Sequence, residues 1–404
     1  MGPMTDETTA APQPTRPDLL LGGGTEAYEA AVERARAERW AERLFERDTT
    51  LWSTTPRVQE AIAERLGWLD APAHFTDQIA ALEGFGEGIR DAGFTTAVVG
   101  GMGGSSLAPE VLHRTFGTTE GWLDLRVLDS TDPAAVAAVV DDLDPLSTLW
   151  IVASKSGTTT EPLAFQADAW ERAERALRAH HAPRSEHAGE LMVAITDPGP
   201  SVEAIPHHDA LREVFLNPPD IGGRYSALTY VGLVPASLIG VDIDPFLASA
   251  TAMLDACREP DPDANPGVSL GLAIATLAKA GRDKLTFLPD AAVASFGSWA
   301  EQLIAESTGK HETGVVPVDG EPLGDISAYG SDRVFVRLNL PGDGADARAG
   351  ADAAVDGIEA ARPQPPRGSP SDPQRALFRR SGGIEMVISR CFGWTSVASE
   401  KTAP

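Results

Sequence analysis

The sequence predicts an α/β protein built on doubly wound parallel sheets, three αβα layers deep, with extra helices ahead of the first sheet. Three observations carry this. Short apolar, β-branched runs alternate with longer helical patterns, as in βαβ units. Two of those runs feed directly into turns rich in glycine or hydroxyl residues and then into helices, the layout of ligand crevices at the carboxyl ends of parallel strands. The length, 404 residues, favours two domains or more.

Composition narrows the function classes. Apolar residues make up 42% of the chain and charged residues 23%, which suits globular cores. No run is long and apolar enough to span a bilayer. The first eighteen residues, rich in Thr, Pro and Ala, lack the basic-then-apolar pattern of a signal peptide and read as a disordered leader. Two cysteines, Cys257 and Cys391, offer no disulfide framework and no clustered zinc site. The expectation is a cytoplasmic protein. A net charge of −26 disfavours nucleic acid or an anionic membrane as partner, and it requires that any anionic ligand be held by local positive groups.

In chain order, residues 25 to 46 place Tyr28, Val32, Ala35, Trp40 and Leu44 at helical spacing. Pro56 opens another helix with Val58, Ile62 and Leu66 on one face, and helical pattern resumes from Phe75 to Ala92. These are outer helices. Residues 95 to 100 form the first core strand, leading into Gly101-Met102-Gly103-Gly104-Ser105-Ser106 and a helix from about Pro109. The turn begins like a dinucleotide fingerprint, but Ser106 stands where the third glycine belongs and only Asp129 is on hand for a ribose, so a dinucleotide is disfavoured. Strands recur at 125–128, 149–153, 191–195 and 213–216; Asp132-Pro133 opens the helix before the third strand, and 182–190 is a polar loop.

The centre of the chain is Ser154-Lys155-Ser156-Gly157-Thr158-Thr159, between the strand ending at Ala153 and an Ala-rich helical pattern from Leu163 to His180. A helix start leaves backbone N–H groups unpaired and partly positive. Ser154, Ser156, Thr158 and Thr159 add hydroxyl donors, and Lys155 adds a point charge. That set suits one phosphate monoester. It lacks the Gly-Lys-Ser/Thr ending of a nucleotide P-loop; as a bare N-cap cluster it would bind nothing.

Gly222-Gly223 before Arg224-Tyr225-Ser226 lets the backbone turn sharply and present a guanidinium, with an apolar helix behind it from Leu228 to Leu238. A second unit begins near Asp242, with helical segments 245–257 and 268–280, a strand 284–288, a helix from about Phe296 that Gly309 caps, and strands 314–318 and 333–338. Gln302 and Glu306, four apart, share one face of that helix.

Taken together, Gly101-Met-Gly-Gly-Ser105, Ser154-Lys-Ser-Gly-Thr-Thr159, Gly222-Gly-Arg224-Tyr-Ser226 and Gln302-x3-Glu306-Ser-Thr-Gly-Lys310 occur in the order found in glucose-6-phosphate isomerases. The sequence resembles the short actinobacterial form of that family, also found fused to transaldolase, over roughly residues 20 to 360. The resemblance implies two sugar-isomerase (SIS) domains and a homodimer binding a phosphorylated sugar between them. It assigns Ser154, Lys155, Ser156 and Thr159 to the phosphate, with Thr158 added by the hydroxyl pattern of the turn, and Gly104 and Ser105 to the loop beside the sugar. It makes Arg224 the arginine near the reacting carbons, Gln302 a substrate ligand and Glu306 the catalytic base. It implies aldose–ketose isomerisation of glucose 6-phosphate and fructose 6-phosphate through a cis-enediolate, with no metal or cofactor. The alternatives are a sugar-phosphate-binding protein without catalysis and an isomerase for a related phosphosugar.

The boundaries expected are a leader at 1–18, the N-terminal helices with the first SIS domain at 19–240, an incomplete second SIS domain at 241–361, and a basic Pro/Arg-rich tail at 362–404. The tail carries seven Lys/Arg against three Asp/Glu, leaving 26 against 56 for the rest. This break, where the family has a lysine that assists ring opening, points to an altered or frameshifted C-terminus, with a genuine divergent or disordered tail as the alternative. Neither Lys401 nor His311 sits in the context of the family's ring-opening groups.

Overall fold

The computed structural model describes residues 14, 16–180, 187–310, 312–322, 324–325, 328–339 and the backbone of 376–381. His311 and Lys401 lie outside the described residues, as does most of the stretches 1–18 and 362–404.

The N-terminal strand β1 (Asp18–Leu20) precedes five helices: α1 (Thr25–Ala37), α2 (Trp40–Phe45), α3 (Pro56–Ala63), α4 (Ala71–Thr76) and α5 (Ile79–Asp91). The periodicity from 25 to 46 reads as one helix, yet Arg39 adopts a left-handed conformation (φ 55°) and splits it into α1 and α2. The apolar stripe survives the break because Ala41 and Leu44 stay buried with Tyr28, Val32 and Ala35. Likewise the pattern from Phe75 is shared between α4 and α5.

The first sheet contains β2 (Thr96–Gly101), β3 (Asp124–Leu128), β4 (Thr148–Ala153), β5 (Met192–Thr196) and β6 (Glu213–Leu216), in the order β3-β2-β4-β5-β6, all parallel. Its crossovers carry α6 (Gly104–Phe116), α7 (Pro133–Val140), α8 (Thr160–His180) and α9 (Pro200–Glu203). The three central strands β2, β4 and β5 are buried along their whole lengths, which is why they read as near-continuous apolar runs. Trp150 is 1% exposed; burying a large apolar side chain contributes roughly 1.5–3 kcal/mol. Asp132 caps α7 by accepting from the N–H groups of Ala134 (2.9 Å) and Ala135 (3.2 Å).

After β6 come α10 (Tyr230–Leu238), α11 (Ile243–Ala256) and α12 (Pro266–Lys279). The second sheet follows with β7 (Lys284–Pro289), helix α13 (Phe296–Thr308), β8 (Val316–Val318), β9 (Arg333–Asn339) and β10 (Ala376–Ser381). Its order is β1-β10-β9-β7-β8, parallel except for β1. Composition sets β1 and β10 apart from the second unit, the one beside the leader and the other in the basic tail. Strand pairing is blind to that distance: Ala376–Ser381 pairs in register with Val334–Asn339, and Asp18–Leu20 runs antiparallel beside it. The protein is an α/β fold of two largely parallel sheets with helices packed around them.

Candidate functional site

In the first sheet β2 is followed by β3 on one side and then by β4 on the other. The chain therefore reverses direction across the sheet between β2 and β4, and a crevice opens at the carboxyl ends of those two strands. Gly101 pairs with Ala153 in register, so the glycine turn after β2 and the hydroxyl turn after β4 emerge side by side.

The glycine turn is tighter than its sequence suggests. Helix α6 begins at Gly104, five residues before the Pro109 at which a start is expected. Gly103 (φ +56°) turns the chain at once, and its carbonyl accepts from the Ser106 N–H (3.0 Å), the Leu107 N–H (2.9 Å) and the Ser106 hydroxyl (2.9 Å). Pro109 is accommodated inside the helix. The glycines also admit neighbours. A Cβ at Gly103 would collide with Gln302 Nε2, and one at Gly104 with the Gly223 carbonyl. These two close approaches bring three distant motifs, 101–106, 222–226 and 302–306, to one place. Ser105 is 9% exposed, in the first turn of α6.

The hydroxyl turn follows β4. Ser154 is buried, and its hydroxyl donates to Thr159 Oγ1 at 3.3 Å. Ser156 Oγ lies 2.9 Å from Thr158 Oγ1 and accepts from the Thr158 N–H at 3.2 Å. Gly157 adopts φ +67° with no room for a side chain, since a Cβ would meet the Ser201 carbonyl. The four hydroxyls thus precede the start of α8 at Thr160, whose first turn contains Pro162 and so offers fewer free N–H groups than most.

Lys155 leans away from those hydroxyls. Its ammonium pairs with Asp197, which follows β5, and donates to the Pro219 carbonyl at 2.9 Å. Burial pushes the Asp197 carboxyl above its ordinary range, Lys155 pulls it down, and Asp220 pushes it up further. The lysine is therefore held in an ion pair, whereas the hydroxyls of the turn donate to no carboxylate among the described residues.

The Gly222–Ser226 turn is a 3-10 helix (Gly223–Leu228) leading into α10. Arg224 is 8% exposed and spans to α13: Nε donates to Ser307 Oγ at 2.9 Å and Nη1 to Glu306 Oε1 at 2.9 Å. The Glu306 side chain is half exposed. One turn earlier on α13, Gln302 has its Oε1 buried without a hydrogen-bond partner among the described residues, a cost that a hydroxylated ligand would relieve. Lys310 Nζ donates to the Glu306 carbonyl at 3.0 Å, closing the last turn of α13.

Gly104, Ser105, Arg224, Gln302 and Glu306 therefore converge, and Ser154, Ser156, Thr158 and Thr159 line the neighbouring turn. Sequence reasoning overlooked Asp197, Ser307 and Tyr225. The signal for Asp197 was an acidic residue at the carboxyl end of the next strand. Ser307 and Tyr225 were inside quoted motifs, but their burial is invisible in spacing. A separate apolar pocket, lined by Trp68, Phe116, Tyr225, Phe246, Phe296 and Trp299, lies behind Tyr225; its lining offers a phosphate no cation.

The family described as phosphoglucose isomerase matches residues 39–322. A glucose-6-phosphate isomerase of Prochlorococcus marinus (strain NATL2A) is 35% identical over 214 residues, 52% of this chain and 39% of the relative. One from Trichormus variabilis is 28% identical over 282 residues, 69% of this chain and 50% of the relative. The chain spans half or less of the length of these curated relatives. Among solved structures, a hypothetical protein from Thermus thermophilus superposes with a TM-score of 0.68 at 22% identity, covering 94% of this chain and 93% of the other. A glucose-6-phosphate isomerase from Chlamydia trachomatis gives 0.66 at 18%, covering 92% and 81%. Both share the fold.

Proposed function

The chain belongs to the phosphoglucose isomerase family, and on that footing we propose that it interconverts glucose 6-phosphate and fructose 6-phosphate. The observation that carries the proposal is the pairing of Arg224 with Glu306 beside the crevice that the hydroxyl turn flanks. The phosphate sits on Ser154, Ser156, Thr158, Thr159 and the start of α8. Lys155 lends its charge without being the sole partner. This binding energy positions carbons that the phosphate turn never touches.

At the reacting end, Glu306 takes the proton from C2 of the open-chain aldose. The electron pair forms the C1–C2 double bond of a cis-enediolate, and the negative charge falls on the former carbonyl oxygen at C1. Arg224, already fixed and largely dry, stabilises that charge; groups in such roles typically contribute about 3–4 kcal/mol. The hydroxyl proton passes from O2 to O1, the C2–O2 carbonyl forms, and Glu306 returns its proton to C1. One carboxylate serving both carbons needs room to swing, which suits its half-exposed position. Gln302, one turn away, hydrogen-bonds a sugar hydroxyl through its buried oxygen. The family resemblance extends the proposal to a cytoplasmic homodimer. No helix among the described residues is long and apolar enough to cross a membrane.

The test is conversion of fructose 6-phosphate to glucose 6-phosphate in D2O. A solvent-exchanging carboxylate base puts deuterium at C2 of the product. Conversion and deuterium entry at C2 that both persist undiminished in Glu306→Gln would overturn proton transfer through Glu306.

A further inference from the structure

We propose that Ser307 is a positioning residue for this reaction, holding the Arg224 guanidinium in the orientation that faces Glu306; the proposal rests on the isomerase reading above. Ser307 follows Glu306 on α13 and is 0% exposed. Adjacent residues on a helix point about 100° apart, so the carboxylate faces the crevice while the hydroxyl faces the interior. Arg224 enters between them. Its Nε–H is held by Ser307 Oγ at 2.9 Å and its Nη1–H by Glu306 Oε1 at 2.9 Å. The guanidinium is planar and rigid, so two bonds in different directions fix both its place and its rotation.

Ser307 is itself braced. The Tyr225 hydroxyl lies 3.2 Å from Ser307 Oγ, and the Tyr225 ring stacks on Trp68 with centroids 6.1 Å apart and planes at 17°. The Arg224 Cζ lies 5.2 Å from the centre of the same ring, within cation–π range. The brace therefore runs from Trp68, in the 3-10 turn between α3 and α4, through Tyr225 and Ser307 to the arginine. Its catalytic value lies in preorganisation: a guanidinium already aimed need not reorient as charge develops.

The experiment is a double-mutant cycle on Ser307→Ala and Arg224→Ala with steady-state fructose 6-phosphate kinetics. Ser307→Ala is expected to lower kcat by about 10- to 100-fold, the scale of a misplaced catalytic group, with KM little changed. In the Arg224→Ala background the same change should cost less than about twofold, because a group that acts through the arginine has nothing left to position. Ser307→Thr, which keeps the hydroxyl, should recover part of the loss. Unchanged kcat in Ser307→Ala, or the same loss in both backgrounds, overturns the proposal. A readout free of turnover separates its failure from that of the isomerase reading: hydrogen exchange at the Arg224 Nε–H, followed by NMR. Slow exchange in the unaltered chain and fast exchange in Ser307→Ala support the clamp even if fructose 6-phosphate is not converted. Equal exchange in the two sinks it.

Discussion

Arg224 donates from Nη1 to Glu306 Oε1 at 2.9 Å, and the partners sit in different surroundings: the arginine side chain is 8% exposed and the glutamate 49%. The cation is fixed in the protein while the carboxylate keeps its freedom at the crevice. A fixed charge beside a mobile base is what an enediolate needs. Arg224→Ala is expected to lower kcat by roughly 10²–10³ with a smaller effect on KM. Arg224→Lys should recover little of it, since an ammonium cannot make both bonds from one plane. Steady-state kinetics on both variants check this.

Gly157 carries the hydroxyl turn through φ +67°, against the Ser201 carbonyl. Gly157→Ala is expected to cost about 1–2 kcal/mol from the left-handed backbone alone, with more from the collision. The loss should appear as a lower midpoint in urea unfolding. Weaker fructose 6-phosphate binding should accompany it in calorimetry, because the hydroxyls of Ser156 and Thr158 flank that residue.

Burial holds the Asp197 carboxyl above its ordinary 3.8, with Lys155 opposing and Asp220 adding to it. A carboxyl raised in this way binds its proton more tightly folded than unfolded. Its stabilising contribution is full below the unfolded value and is lost as pH rises through the raised folded value. Asp197→Asn carries no such proton. The stability of the unaltered chain minus that of the variant should therefore fall as pH rises across that window and level off above it. Urea unfolding of both from acid to neutral pH measures the difference; a rise with pH would contradict the burial argument.

Arg337 is 1% exposed in β9 and pairs with the buried Asp290, while donating to the Leu288 carbonyl at 2.8 Å and the Leu338 carbonyl at 3.0 Å. Removing one partner of such a pair leaves an uncompensated buried charge. Arg337→Ala is expected to destabilise the fold by about 3–5 kcal/mol, read as a lower urea midpoint with the slope unchanged. A cost near zero would mean that water reaches Asp290.

The strands of the first sheet were legible because β2, β4 and β5 are buried on both faces and so spell continuous apolar runs. The turns were legible because glycine and hydroxyl residues have few other reasons to follow such strands. Less was visible where the outcome depends on one backbone angle. Arg39 breaks a helix whose periodicity continues across it, and Gly103 starts α6 well before Pro109. Pairings between distant segments were not visible at all. Lys155 meets Asp197 just past the end of the neighbouring strand, and Ala376–Ser381 joins Asp18–Leu20 from opposite ends of the chain. The residue types at the site could be named from motifs, but the brace behind Arg224 depends on the burial of Ser307 and Tyr225, which spacing does not encode.

The most direct measurement is the rate at which the purified chain converts fructose 6-phosphate to glucose 6-phosphate, set beside that of Glu306→Gln. The account predicts turnover by the unaltered chain and a loss of at least about 10²-fold in the variant, as befits removal of the acid–base group, with phosphosugar binding retained by both. Binding without turnover in either would mark a phosphosugar-binding protein that does no chemistry, and undiminished turnover in Glu306→Gln would move the base elsewhere; either result contradicts the mechanism.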